Sequence, residues 1–323
     1  MPEPEQPKTL CIGNRPADDI AVIVPVYMGR SVLRELCQRL VASLEQITDR
    51  FSVILVDDRS RDDPWALIRA IGQEDERIKG IQLSRNFGQH QALTAGIDYA
   101  QANWYIVMDC DLQDAPEDIP ILYKNALEGF DIVVGVRRKE GHGFAKRRSS
   151  QLFYAVFNLL AGFELDWEVG NFRIFSDRVA VGFRKMREQM RFLPASLNFL
   201  GFHVGKVELP HHPRPEGKSS YTFAKLFRLA SGTILSYSNL PLRLAAIFGL
   251  VISVLSLLGA GIIVLRKLAW DIPVSGWASL IVAVFVLGGI QIFITGIVGI
   301  YVGKCFDEAK RRPLYFVRET SNL

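Results

Sequence analysis

The stretch Trp104-Tyr-Ile-Val-Met-Asp109-Cys-Asp111-Leu-Gln113-Asp114 is a short apolar run that ends in three carboxylates. Its length and content are those of a buried parallel strand. The carboxyl end of such a strand faces the crevice in which open α/β sheets hold ligands. Asp109 and Asp111, at alternate positions, can converge on a hard divalent cation through oxygen ligands. A D-x-D in isolation is more often a polar turn, so the reading depends on what surrounds it.

Similar runs precede and follow it. Ile20 to Tyr27 is almost continuously apolar, and Phe51 to Asp58 again ends in carboxylates. Ile78 to Leu83 and Asp131 to Val136 supply two more candidate strands. Between them lie segments with apolar residues at helical spacing: Ser31 to Ile47, Pro64 to about Glu74, Gln89 to Ala102, and a segment opened by Pro116. Alternating strands and helices predict an α/β fold, a mainly parallel sheet with helices on both faces.

The remainder of the 323-residue chain reads differently. No charged residue occurs from Leu244 to Leu265, or from Ile272 to Gly303. Each run exceeds the roughly 20 residues a helix needs to cross a bilayer core. A transmembrane hairpin is therefore expected over 243–303, with spans at about 244–266 and 277–302. Lys225, Arg228 and Arg243 precede it and Lys304, Lys310, Arg311, Arg312 and Arg318 follow it, which places both ends on the cytoplasmic side. Gln151 to Leu160 and Tyr221 to Tyr237 are apolar segments with basic flanks, which read as interfacial helices or as helices packed against the sheet, the two spans that follow favouring the former. Residues 1–19 read as a polar flexible leader, 20–220 as the catalytic domain, 221–242 as interfacial helix and linker, and 304–323 as a cytoplasmic tail. The formal charge of +4 suits an anionic membrane surface better than nucleic acid. Cys11, Cys37, Cys110 and Cys305 show no metal spacing and suit a reducing compartment.

The set V-P-V-Y (24–27), V-D-D-x-S (56–60), S-R-N-x-G-Q (84–89), M-D-x-D-L-Q-D-x-P-E (108–117) and G-x-R (135–137), followed by two apolar segments, resembles the GT-A-fold glycosyltransferases of family 2. More narrowly, it is similar to the polyprenyl-phosphate glycosyltransferases, which include dolichol-phosphate mannose synthase and the undecaprenyl-phosphate glucosyl and aminoarabinose transferases. The resemblance spans roughly Ile20 to Val317. It implies an inverting, metal-dependent transfer of a sugar from a nucleotide diphosphate sugar, a UDP-sugar foremost, to undecaprenyl phosphate. The implied location is the cytoplasmic face of the inner membrane, with a homo-oligomer and a downstream flippase as further partners.

Residue by residue, the resemblance puts the donor's base and ribose near Pro25, Tyr27 and Asp57, with turn capping as the alternative role of Asp57 and loop orientation as the role of Asp58. Arg85 would reach the donor or brace its site. Asp109 would contact the ribose or the metal, and with it Asp111 and Gln113 would hold Mg2+ or Mn2+ on the diphosphate, since a Gln carbonyl is also a hard oxygen donor. Arg137 and the basic residues to Arg148 would meet the acceptor phosphate, for which the planar Arg fork is suited. Arg214 and Lys218 fall in a segment similar to R-x-x-G-x-S-K-Y, a loop that covers donor phosphates; Ser220 stands at its usual Lys. Many relatives carry Gly-Asp where this chain has Gly170-Asn171, with Arg173 two residues on as a phosphate ligand. Asn171 cannot act as a base. Two other readings remain: a processive polysaccharide synthase, whose Q-x-x-R-W is not matched by Gln189-Met-Arg191-Phe192, and a non-catalytic membrane scaffold, which has no need of a cation site.

Overall fold

The computed structural model describes residues 17–136, 169–210, 238, 240–269 and 276–323. The expected strands and helices form in order. They are β1 (Asp18–Val26), α1 (Leu33–Leu44), β2 (Phe51–Asp57), α2 (Trp65–Glu74), β3 (Ile78–Leu83), α3 (Gln89–Tyr99), β4 (Ala102–Val107), α4 (Ile119–Ala126) and β5 (Ile132–Val136). Then follow β6 (Val169–Ser176), α5 (Asp177–Lys185), α6 (Leu193–Phe199), β7 (Val204–Glu208), α7 (Leu240–Ala269), α8 (Trp277–Ala309) and β8 (Val317–Ser321).

The eight strands form one sheet in the order β7-β5-β6-β4-β1-β2-β3-β8. β6 runs antiparallel to both β4 and β5, and β8 antiparallel to β3; the other pairings are parallel. β1 shows why the central strands read as continuous apolar runs. Ile20, Val22 and Val24 pack with Leu36, Leu40 and Ile68 from α1 and α2. Ala21 and Ile23 pack with Leu93 and Ile97 of α3 and Phe183 of α5 on the opposite face. Both faces are buried, so no polar alternation survives. Gly96 lets α3 lie close: a Cβ there would overlap the Ile23 side chain and press on Val56.

Register fixes the functional edge. Val26 pairs with Asp57 and Asp57 with Gln82, while Val107 pairs with Ile23. The parallel strands thus deliver Tyr27, Asp58, Ser84 and Asp109 to one edge. Antiparallel β6 starts there, with Arg173 opposite Val107, so Gly170 and Asn171 lie beside Asp109.

The segment after α8, expected to be a tail, is in part a strand. β8 pairs with the outer edge of β3 through Gly80–Ser321, Ile81–Thr320 and Gln82–Glu319. The indole of Trp65 donates to Glu319 at 3.0 Å, and the Asn322 amide donates to the Gly72 and Ile78 carbonyls at 2.6 and 3.0 Å. Capping an exposed sheet edge satisfies its free backbone groups, which drives this return.

α7 and α8 are longer than the apolar runs that predict them. Many of their described apolar side chains are exposed, among them Leu250, Leu258, Ile292 and Phe293. Within α8, Val286–Ala309 is long and apolar enough to cross a bilayer, whereas the described apolar stretch of α7, Leu242–Ile252, is shorter. Tyr301 on α8 donates to the Ser238 carbonyl at 2.8 Å, tying α8 to the residue just before α7.

Candidate active site

Asp109 is the centre of the edge. Its Oδ1 accepts from the Gln89 amide at 2.6 Å, and the Asn171 amide donates to Oδ1 and Oδ2 at 3.3 and 3.4 Å. Burial pushes its pKa above the ordinary carboxylate value, helped by the neighbouring Asp111 charge and opposed by both amides and by Arg173. Asp111 is exposed at the rim. Its carboxylate accepts the Gln113 backbone N–H at 3.1 Å and also touches the Gln113 side-chain amide. Leu112 between them adopts a positive φ of 56°, which turns both side chains toward one side of the loop.

Arg173 lies buried beneath this group, 3% exposed. Its guanidinium donates to the Asn171 and Gly170 carbonyls at 3.1 and 2.8 Å. Burial lowers its pKa to about 10, against the pull of Asp109 and Asp114, and it stays charged at neutral pH. His90 is held neutral with its pKa lowered to about 4 by burial and by the cations Arg173 and Arg191.

Asp57 and Asp58 are both buried. Asp57 accepts from Ser60 N at 2.9 Å and from the Gln82 amide at 3.0 Å, so it shapes the turn after β2. Asp58 accepts the backbone N–H groups of Phe87 and Gly88 at 2.7 and 2.9 Å. It thereby fixes the loop that carries Gln89. Ser60 donates to Asp62 and accepts from Met28 N at 2.6 Å, tying the turn after β1 to that after β2. Tyr27 stands 47% exposed at the rim.

Of the residues expected from sequence, Pro25, Tyr27, Asp57, Asp109, Asp111, Gln113 and Arg173 come together on this edge. Arg85 lies with its guanidinium 4.6 Å from the centre of the Phe87 ring and lines a cleft with the C-terminal segment. Arg137, Arg214 and Lys218, with the basic run to Arg148 and the expected interfacial helices, lie outside the described residues. Asp58 carries a loop-orienting role from sequence; Gln89 and Ser60 carry none as organisers. Their one local signal was the glycine and helix start at Gly88-Gln89.

Among the described residues there is no group of three or more His, Cys, Asp or Glu side chains able to hold a metal. The donor set of Asp109, Asp111 and Gln113 still fits a hard cation of the Mg2+ type. Such ions take one or two carboxylates and complete their shell with water and substrate phosphate.

The chain matches the sequence profile of glycosyl transferase family 2 over residues 21–194. It is 34% identical to the uncharacterized glycosyltransferase YkcC of Bacillus subtilis, over 94% of each chain. It is 31% identical to undecaprenyl-phosphate 4-deoxy-4-formamido-L-arabinose transferase of Pseudomonas syringae, covering 94% of this chain and 91% of that one. It is 30% identical to the bactoprenol glucosyl transferase of Shigella phage SfII, covering 93% and 98%. Glucosyl-3-phosphoglycerate synthase of Mycobacterium tuberculosis shares the fold, with a TM-score of 0.50 at 16% identity over 69% of this chain and 81% of that one. With the family profile seated on the strands that build this edge, the chain belongs to glycosyl transferase family 2 and is a glycosyltransferase.

Proposed function

We propose that the protein moves a sugar, with inversion, from a nucleoside diphosphate sugar to undecaprenyl phosphate at the cytoplasmic face of the inner membrane. UDP is the favoured nucleotide. The observation that carries this reading is the convergence of Asp109, Asp111 and Gln113 on the ligand-binding edge of a sheet whose chain continues into two long apolar helices. The acceptor class is supported by the names of the relatives, which cover nearly the whole chain.

Pro25, Tyr27 and Asp57 border the nucleoside end, and Asp109, Asp111 and Gln113 border the diphosphate. A bound Mg2+ or Mn2+ supplies neutralisation of the departing nucleotide diphosphate. Gln89 and Asn171 hold the Asp109 carboxylate in one orientation, and buried Arg173 adds fixed positive charge below it. Arg137 is assigned to the acceptor phosphate, and Arg214 and Lys218 to the donor phosphates.

The acceptor oxygen attacks the anomeric carbon as the bond to the diphosphate breaks. A phosphate monoester has a second pKa of about 6, so the acceptor is already anionic near neutrality and no proton has to be removed. Asn171 in place of a carboxylate is compatible with that chemistry. The protein's contribution is positioning and electrostatic stabilisation. α7 and α8 form a membrane hairpin that keeps the edge near the lipid surface.

Membranes containing the protein, incubated with labelled UDP-sugars and undecaprenyl phosphate, test the proposal. A labelled lipid whose mass equals undecaprenyl phosphate plus one sugar is expected. Absence of any lipid-linked product across the common nucleotide sugars, with correctly inserted protein, contradicts it.

A further inference from the structure

The C-terminal segment does more than complete the sheet. Between α8 and β8 it faces the loop after β3 across a cleft of about 700 Å3. Arg85 and Phe87 line one side, and Lys310, Arg312 and Phe316 line the other. Phe87 and Phe316 approach to 6.4 Å between ring centres, giving the cleft an apolar wall. Three cations face one lining carboxylate, Asp307, which lies 3.7 Å from Lys310 Nζ. None of the three cations is among the residues that hold Asp109 or Asp111.

The position of the cleft identifies its ligand. The uncharged run of α8 ends at Gly303, and Lys310 lies seven residues further on the same helical path. At about 1.5 Å per residue that is about 10 Å beyond the apolar boundary. The headgroup layer on each side of a bilayer is about 5–8 Å deep, within reach of a long basic side chain. A cleft with clustered cations and an aromatic wall at that depth matches a phosphate with the first carbons of a lipid attached.

We propose that the cleft between Arg85–Phe87 and Lys310–Phe316 binds the phosphate of an anionic phospholipid headgroup. The bound lipid sets the height of the catalytic edge above the bilayer. Arg85 reaches this phosphate from the active-site loop, so the loop and the membrane helix share one ligand. This inference rests on the membrane placement proposed above.

Native mass spectrometry of the full-length protein, released from detergent with equal phosphatidylglycerol and phosphatidylcholine, tests it. The wild type is expected to retain phosphatidylglycerol selectively. Lys310→Gln with Arg312→Gln is expected to weaken retention roughly twenty-five-fold, since each basic residue at an anionic surface contributes about a factor of five. Arg311→Gln with Arg318→Gln, outside the cleft, is expected to leave it unchanged. Equal losses in the two pairs, or none in either, overturn the proposal. Inorganic phosphate that displaces the lipid at equal concentration also overturns it, by making free phosphate the occupant.

A photoactivatable phosphatidylglycerol on the wild type provides a measure independent of variant folding. Crosslinks within 85–91 and 307–316 are expected, and crosslinks confined to the apolar helices contradict the site. If the protein washes off membranes without detergent, the membrane reading itself falls. If it stays inserted but shows no headgroup preference, only the cleft assignment falls.

Discussion

Asp58 and Gly88 are joined across the sheet edge: the Gly88 N–H donates to Oδ2 of Asp58 at 2.9 Å, while Phe87 N–H donates to Oδ1 at 2.7 Å. Gly88 has φ +106° and opens α3, so the next residue, Gln89, is aimed at Asp109. Asp58→Asn leaves one acceptor for two donors and sets an amide against a backbone N–H. A loss of about 1–3 kcal/mol in stability is expected, the cost of one buried unsatisfied group. Turnover is expected to fall further than substrate binding, because Gln89 loses its anchor. Thermal unfolding and kcat measured on the same preparation check both.

Asn171 donates to Asp109, and a carboxylate in its place repels it. Asn171→Asp is expected to raise the apparent pKa of the pair, since like charges at close range resist joint ionisation. The acid limb of the pH–rate profile is expected to move to higher pH in the variant. A pH–rate profile that matches the wild type contradicts this role for Asn171.

His90 offers a stability test. Its Nδ1 accepts from Leu193 N at 3.5 Å, and its ring meets Phe192 edge-on at 5.1 Å. Burial is the first cause of its lowered pKa, about 4, with Arg173 and Arg191 next. The folded pKa lies below the unfolded value of about 6.5, so the unfolded chain binds the extra proton first. The stabilisation from neutral His90 is complete above about pH 6.5 and is lost as pH falls toward 4, by about 3 kcal/mol. His90→Asn is expected to flatten that part of the stability–pH curve. An unchanged slope between pH 4 and 6.5 rules out His90 as its source.

The returning C-terminal segment is expected to be needed for folding. The Tyr315 hydroxyl donates to Asp98 at 2.8 Å, and Arg187 grips the same carboxylate at 2.7 and 3.1 Å. Tyr315→Phe removes one of these bonds, about 1 kcal/mol, which corresponds to a fall of roughly 3 °C in Tm. Truncation after Leu314 also uncovers the β3 edge and its free backbone groups. Aggregation or poor yield of the truncated protein, measured by size-exclusion chromatography in detergent, is the expected outcome.

The buried strands β1 to β5 were legible because each is an apolar run bounded by turns or carboxylates. β6 was not, since its Gly170-Asn171-Phe-Arg173 start breaks the apolar pattern; Arg173 is a buried cation satisfied by local carbonyls. β8 was hidden for another reason. Val317-Arg-Glu-Thr-Ser321 is a polar edge strand, and only its pairing with β3 makes it structure. The acidic residues of the site were legible as motifs on strand ends. Gln89 as an organiser was not, because it meets Asp109 only once the parallel register is set. Arg85, expected from sequence to reach the donor or brace its site, lines the cleft beside Lys310 and Arg312, a neighbourhood that only the return of the C-terminal segment creates.

The central claim is that Asp109, Asp111 and Gln113 hold a divalent ion under the donor's diphosphate. Calorimetric titration of UDP into the full-length protein, with and without Mn2+, tests it most directly. Mn2+ is expected to tighten UDP binding by at least about tenfold in the wild type, or about 1.4 kcal/mol. Asp111→Ala, a change at an exposed rim position, should fold normally and lose that gain. An equal gain in the variant, or no effect of Mn2+ on the wild type, contradicts the account.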